Sequence, residues 1–262
     1  LHLRWFDYWL KGKKNGILEE PPVRIFVMGE NRWRTENEWP LARTKYTKYY
    51  LHSGGKANSL RGDGLLSPES PRSEPADVYV ADPRNPVPTR GGGLCCWPAA
   101  VPGGAFDQRA IEERSDVLVY TTPVLDRDVE VTGPITLTLF AATSAVDTDF
   151  TAKLVDVHPD GYARNLTDGI IRGRYRESRR KAALLKPGEI YEYTVDLWAT
   201  SNVFKAGHRI RLDIASSNFP RFDRNPQTGE ASGEASRLEP ALQRVFHDDL
   251  RPSHVVLPVI PR

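Results

Sequence analysis

Between residues 23 and 259 apolar side chains recur at every second position in short runs, the period of a strand that buries one face. Residues 23–27, 46–51, 77–80, 116–120, 135–141, 150–157, 170–175, 190–197, 210–214 and 255–259 are such runs and predict short strands. In one of them Ile210, Leu212 and Ile214 point one way and Arg211 and Asp213 the other, which predicts a strand with one buried face. From Ser216 the alternation stops, and small polar residues, Pro220, Pro226 and charged side chains predict a shaped polar loop as far as Gly229. Phe219 and Phe222 sit in that loop among charges, so it needs a surface to lie against. His158-Pro159-Asp160-Gly161 predicts a turn that closes a hairpin after residue 157.

Two stretches carry a helical period instead. Leu3, Phe6 and Leu10, with Trp5 and Trp9 beside them, predict an amphipathic helix over residues 1–11, and Gly12 with Lys11, Lys13 and Lys14 supplies its stop signal. Its apolar face needs a partner, either the domain that follows or one that precedes. Because the chain opens at Leu1 inside this helix, it is expected to be a piece of a longer protein. Leu238, Leu242 and Val245 predict a short second helix, and residues 53–75, rich in Gly, Ser and Pro, a long surface loop. No internal repeat or low-complexity tract is present. Many short strands without alternating helices predict a mainly β protein: a sandwich, a jelly roll or a barrel.

Composition narrows the partners. The 262 residues hold 36 Lys and Arg against 34 Asp and Glu, a net charge of +2, whereas a nucleic-acid partner calls for a concentrated basic surface. The 20 Gly and 21 Pro suit a chain of strands and turns. The two cysteines, Cys95 and Cys96, are adjacent and cannot form a disulfide framework, which predicts a reducing, cytoplasmic setting. No run approaches the roughly 18–20 apolar residues of a membrane-spanning helix, so no membrane partner is expected.

Candidate chemistry is sparse. The G-x-S-x-G elbow of an α/β-hydrolase is missing, and Gly229-Glu230-Ala231-Ser232-Gly233 has the wrong spacing and lies in a polar loop. Six scattered histidines form no H-x-x-H pair, which argues against zinc, and His208 reads as a structural residue. Asp147 and Asp149, with Asp156, Asp160 and Asp168 beyond, could offer hard oxygen ligands to Ca²⁺, although Asp is also a routine turn residue. Arg221, Asp223 and Arg224 read as an ion-pair lattice holding the loop rather than a substrate clamp. Trp33 and Trp39-Pro40 could form a sugar-stacking platform; packing anchors are the commoner reading.

Several motifs, taken in order, carry a family resemblance. They are Leu3-Arg4-Trp5-Phe6-Asp7-Tyr8-Trp9-Leu10-Lys11-Gly12, Pro22-Val23-Arg24-Ile25-Phe26-Val27-Met28-Gly29 with Trp33 and Trp39-Pro40, and Asp82-Pro83 with Pro86-Val87-Pro88-Thr89 and Gly91-Gly92. Asp107-Gln108-Arg109, Arg114-Ser115-Asp116-Val117-Leu118, Val146-Asp147-Thr148-Asp149-Phe150, Lys153-Leu154-Val155-Asp156-Val157 and the stretch from Gly207 to Gly229 complete the set. The chain resembles, over essentially its whole length, the C-terminal part of the cocaine-esterase and X-prolyl dipeptidyl-peptidase family of serine hydrolases. The resemblance implies a jelly-roll, galactose-binding-like β-sandwich over residues 21–262, preceded over residues 1–20 by the terminal helix of an α/β-hydrolase domain. It places the Ser-His-Asp triad upstream, so that this chain holds no catalytic residue, needs no cofactor and is inactive alone. Its implied partners are that hydrolase domain and a small acyl ester or amide, with a homodimer possible. Gly93, Leu94, Cys95, Cys96 and Trp97 would form one wall of the substrate pocket, and Asn218, Phe219, Arg221, Asp223 and Arg224 a loop at the domain interface. The alternatives are a stand-alone binding module, for carbohydrate if Trp33 and Trp39 stack sugars, and an interaction domain for oligomer assembly.

Overall fold

The computed structural model describes residues 1–94, 99, 101–230, 233 and 235–262. Its strands, in chain order, are β1 (Val23–Val27), β2 (Arg32–Glu36), β3 (Lys45–His52), β4 (Leu65–Ser67), β5 (Asp77–Ala81), β6 (Leu118–Thr121), β7 (Val129–Thr143), β8 (Asp149–Val157), β9 (Ala163–Arg172), β10 (Tyr191–Phe204), β11 (Arg209–Ala215), β12 (Ala241–Phe246) and β13 (His254–Ile260). Two α-helices join them, α1 (His2–Lys11) and the short α2 (Arg109–Glu112). β1 and β2 form a separate hairpin, and the rest make one mixed sheet in the order β5-β12-β7-β13-β3-β4-β6-β11-β8-β9. β7 is its hub: it pairs with β10 along most of its length and divides its other pairing between β13 and β12. The sheet therefore forks there and folds back on itself.

The predicted alternation fills the space between the layers. Leu137 and Leu139 of β7, Tyr193 and Val195 of β10 and Val255 of β13 meet Phe150 and Leu154 of β8 and Ile210, Leu212 and Ile214 of β11, all fully buried in one cluster. Phe150 and Tyr193 pack across it with ring centroids 4.9 Å apart. Each such side chain contributes on the order of 1.5–3 kcal/mol, so this cluster holds the sandwich together. The predicted turn is present: Gly161 N–H donates to the His158 carbonyl at 2.9 Å, Gly161 takes φ +84°, and β8 and β9 form the hairpin.

Four expectations need correction. The predicted helix around Leu238, Leu242 and Val245 is instead strand β12, in which Ala241, Gln243 and Val245 are buried while Leu242 and Arg244 face out. Buried Gln243 bonds to Thr148 Oγ1 at 3.0 Å and Gln227 Oε1 at 3.2 Å, and a polar residue on the inner face hid the alternation. The 53–75 loop contains β4, which pairs with β3 and, in parallel, with β6. The strand predicted at 170–175 starts at Ala163 and ends at Arg172, where a 3₁₀ turn begins. Most consequentially, β11 is buried on both faces: Arg211 and Asp213 lie under a layer in which Val87, Ile111 and Val117 cluster with Val119 and Ala215.

Candidate functional site

The covered polar face carries a charged layer. Arg211 Nη1 donates to Glu112 Oε2 at 2.5 Å and its Nε to Thr121 Oγ1 at 2.8 Å, while Lys153 Nζ donates to Gln108 Oε1 at 3.2 Å. Burial pushes Asp213 up to about 6 against the pull of Arg211 and Lys153. Burial also raises Glu112, helped by the charge of Asp213 and opposed by Arg211. Both Asp213 oxygens are buried without a hydrogen-bond partner among the described residues, beside a space of about 10 Å³, room for one water centre. This layer ties Gln108 and Glu112 to β8 and β11.

Beyond it two loops are stitched together. Phe219 N–H donates to the Val87 carbonyl at 2.9 Å, Thr89 N–H to the Phe219 carbonyl at 2.6 Å, and Arg221 N–H to Thr89 Oγ1 at 3.1 Å. Asn218 Nδ2 and Arg221 Nη2 both hold Asp168, each at 3.0 Å, and Arg224 Nη1 donates to the Pro83 carbonyl at 3.2 Å. Asp223 pairs with Arg172 at 3.2 Å. Arg221, Asp223 and Arg224 thus each reach a partner in the rest of the fold. Phe219 stays 39% exposed, with Arg224 over its ring. Of the predicted pocket wall, Gly93 lies against this loop, where an added Cβ would come within 3.0 Å of Arg221 Nη1; Leu94 follows it, half-buried. Cys95, Cys96 and Trp97 lie outside the described residues.

Asp147 and Asp149 stand at the same end. Arg174 Nε donates to Asp147 at 2.7 Å, Arg172 grips Asp149 through two bonds of 3.0 Å, and Asn225 Nδ2 bridges both carboxylates at 2.8 Å. A Ca²⁺ ion would have to compete with two guanidinium groups for these oxygens. Asp168 is spent on Arg221, while Asp156 bonds Arg164 at 3.0 Å and His208 Nδ1 at 2.8 Å. His158 joins that pair, its Nε2 3.9 Å from Asp156 Oδ2. Periodicity could not have revealed this trio, because His208 is fifty residues from the other two and meets them only through β8–β11 pairing.

A second cluster escaped the motif search as well. Ser53 Oγ lies 3.1 Å from His247 Nε2, and His247 Nδ1 lies 3.2 Å from Glu74 Oε2, the outline of a serine–histidine–acid triad. Asp77 changes its chemistry. It takes Ser53 Oγ–H at 2.7 Å, His247 Nε2 at 2.9 Å, Tyr120 Oη–H at 2.7 Å and Ala57 N–H at 2.8 Å. Burial pulls His247 down, but the hydrogen bond to Asp77 and the charges of Asp77 and Glu74 outweigh it and leave it raised. The serine hydroxyl proton is thus directed to the Asp77 carboxylate, which also occupies His247 Nε2, the nitrogen a general base would need. The N–H groups of Gly54 and Gly55 are engaged too, with Asp63 and Ser53, and so are not offered to an oxyanion. The cluster is a lock that ties the 53–77 segment to the end of β12.

The opposite end of the chain is unlike the rest. α1 stops at Gly12, in the left-handed conformation (φ +64°), and none of its residues is buried. Trp5, Phe6 and Trp9 are 46%, 52% and 56% exposed. Arg4 ties the helix to Asn15 and Glu20. Between α1, Ile17, Leu18 and the β1–β2 hairpin opens a cavity of about 1180 Å³. Trp33, expected as a packing anchor, is 60% exposed on this wall, with Phe26 edge-on to its ring and Arg24 above it.

The fold now bears comparison with known proteins. The pattern of the family described as the X-Pro dipeptidyl-peptidase C-terminal non-catalytic domain matches residues 15–256. The chain belongs to that family. The resemblance carried by its motifs is borne out, and the locked Ser53 cluster agrees with a non-catalytic domain. Cocaine esterase of Rhodococcus sp. (strain MB1 Bresler) is 48% identical over 264 residues, covering 100% of this chain and 46% of that protein. A putative Xaa-Pro dipeptidyl-peptidase of Bacillus anthracis is 27% identical over 82% of the chain and 32% of its own length. Among solved structures, an aminopeptidase from the marine sediment archaeon Thaumarchaeota archaeon superposes with a TM-score of 0.86 at 33% identity, over 100% of this chain and 43% of that one. An α-amino acid ester hydrolase superposes with a TM-score of 0.83 at 30% identity, over 97% and 43%. The chain spans less than half the length of these relatives, in which this domain is the C-terminal part of a larger hydrolase.

Proposed function

We propose that this chain serves a serine hydrolase of acyl esters or amides, packing on its catalytic domain and forming one wall of the cleft. The catalytic domain supplies an activated serine that attacks the carbonyl, and water releases the acyl-enzyme. The observation that carries this reading is α1, none of whose residues is buried and whose Trp5, Phe6 and Trp9 are 46%, 52% and 56% exposed. Residues 1–20 then belong structurally to the catalytic domain and 21–262 to the sandwich. The stitched loops around Leu94, Phe219 and Arg221 present the second contact, toward the cleft. Homodimer formation has a candidate surface in the β5 edge, where Val78 and Val80 are 39% and 54% exposed.

The test is turnover of a chromogenic ester by the intact protein. Ser53→Ala should leave it within about twofold, and a serine-directed inhibitor should abolish it through a serine outside this chain. Loss of turnover in Ser53→Ala with an unchanged melting temperature would overturn the reading. The sugar-binding alternative predicts instead that Trp33→Ala abolishes retention on a glycan array.

A further inference from the structure

We propose that Asp156, His158 and His208 form a site for a divalent transition metal, with Zn²⁺ the ion whose ligand preferences fit. Asp156 comes from the end of β8, His158 from the β8–β9 turn and His208 from the turn before β11, and their ligand atoms all lie within 4.8 Å of one another. Two imidazoles and one carboxylate are a donor set for Zn²⁺, which takes three protein ligands and leaves a fourth position to water.

The geometry is nearly assembled. Ligand atoms about 2.0–2.1 Å from a tetrahedral Zn²⁺ lie roughly 3.3 Å apart. His208 Nδ1 is 2.8 Å from Asp156 Oδ1, and His158 Nε2 is 3.9 Å from Asp156 Oδ2. The two gaps run to different oxygens of Asp156, so an ion must turn that carboxylate and draw the three ligand atoms together from within 4.8 Å, movements of side-chain torsions. The rings are held in place: they lie against each other with centroids 4.5 Å apart and planes tilted by 34°, and Tyr162 lies edge-on to His158 at 5.3 Å. The backbone beneath is fixed by His158 N–H to the Tyr162 carbonyl at 2.9 Å and His208 N–H to the Lys205 carbonyl at 3.0 Å.

An ion-pair cluster alone does not explain His158. Its Nε2 atom is buried without a hydrogen-bond partner among the described residues, and a buried polar nitrogen of that kind calls for a ligand. Arg164 Nη2, 3.0 Å from Asp156 Oδ2 and 3.2 Å from Asn202 Oδ1, orients the carboxylate from the outer shell, and its charge moderates the affinity. Side chains of His158 and His208 are 29% and 15% exposed, enough for an ion to enter from solvent.

The test is Zn²⁺ titration of the chelator-stripped intact protein by calorimetry, in a Cys95→Ser/Cys96→Ser background because adjacent thiols bind zinc on their own. His158→Ala should weaken one class of site by at least about tenfold, and His158→Ala/His208→Ala should remove one equivalent. In the parent protein, which needs no substitution at the site, the His158 and His208 imidazole resonances should shift before those of His52 and His247. Superimposable titrations of parent and double variant, or zinc that moves other histidines first, would overturn the proposal.

Discussion

Helix α1 and strand β11 invert the usual sorting of side chains in opposite directions. The helix shows Trp5, Phe6 and Trp9 to solvent, whereas the strand hides Arg211 and Asp213. The strand's inversion is resolved inside the chain, because residues 82–117 bring Glu112 and Gln108 down onto it. The helix's inversion is not, because none of its residues is buried among the described residues. Misplaced polarity therefore has two meanings: buried charge with partners marks internal architecture, and exposed apolar surface without partners marks a surface meant for something else.

The contrast can be broken at either end. The largest effect is expected from Arg211→Ala, which leaves the Glu112 carboxylate buried alone and should cost about 3–5 kcal/mol in equilibrium denaturation. Leu212→Ala, on the opposite face of the same strand, should cost a comparable 2–5 kcal/mol or so by opening a cavity. Equal costs would show that the polar face matters as much as the core; a neutral Arg211→Ala would break the comparison. Next comes His247→Asn, expected to cost about 1–3 kcal/mol near pH 6 by leaving Asp77 short of a partner. His247 is raised in the folded state, so its contribution is complete below its unfolded pKa near 6.5 and fades as pH rises through the folded value. Burial raises Asp77, but hydrogen bonds from His247, Ala57, Tyr120 and Ser53 leave it lowered, so its share fades only as the medium turns acid. The stability gap between the parent protein and His247→Asn should accordingly shrink as pH rises above about 6.5, as followed by melting temperature. Smallest is Arg32→Ala, which breaks an exposed pair with Glu30 and should change stability by less than about 1 kcal/mol.

Much of this architecture was legible because its signal is local. The alternations ending at Leu51, Ala141, Val157 and Ile214 each report one strand against the core, and His158-Pro159-Asp160-Gly161 reports its own turn. β2 was not legible, since Arg32-Trp33-Arg34-Thr35-Glu36 buries no residue fully, and neither was β12, whose inner face includes Gln243. The sequence showed that Arg211 and Asp213 share a face but could not show that the face is covered, because the cover comes from α2, about a hundred residues earlier. The Ser53, Glu74, Asp77 and His247 lock and the Asp156, His158 and His208 trio were invisible for the same reason: each joins distant segments through strand pairing. The polar loop from Ser216 was readable as a loop, yet its ion-pair partners, Asp168 and Arg172, were assigned only once β9 was in place beside it.

The central claim, that α1 is the buried seam of a larger hydrolase, is tested most directly by oxidative footprinting of tryptophans in the intact protein. Trp5, Trp9 and Trp198 are 46%, 56% and 68% exposed in this chain. Covered by a catalytic domain, Trp5 and Trp9 should oxidise at least about tenfold more slowly than in the denatured protein, while Trp198 of β10 reacts nearly as fast as when unfolded. Oxidation of Trp5 and Trp9 at the rate of Trp198 would contradict the account.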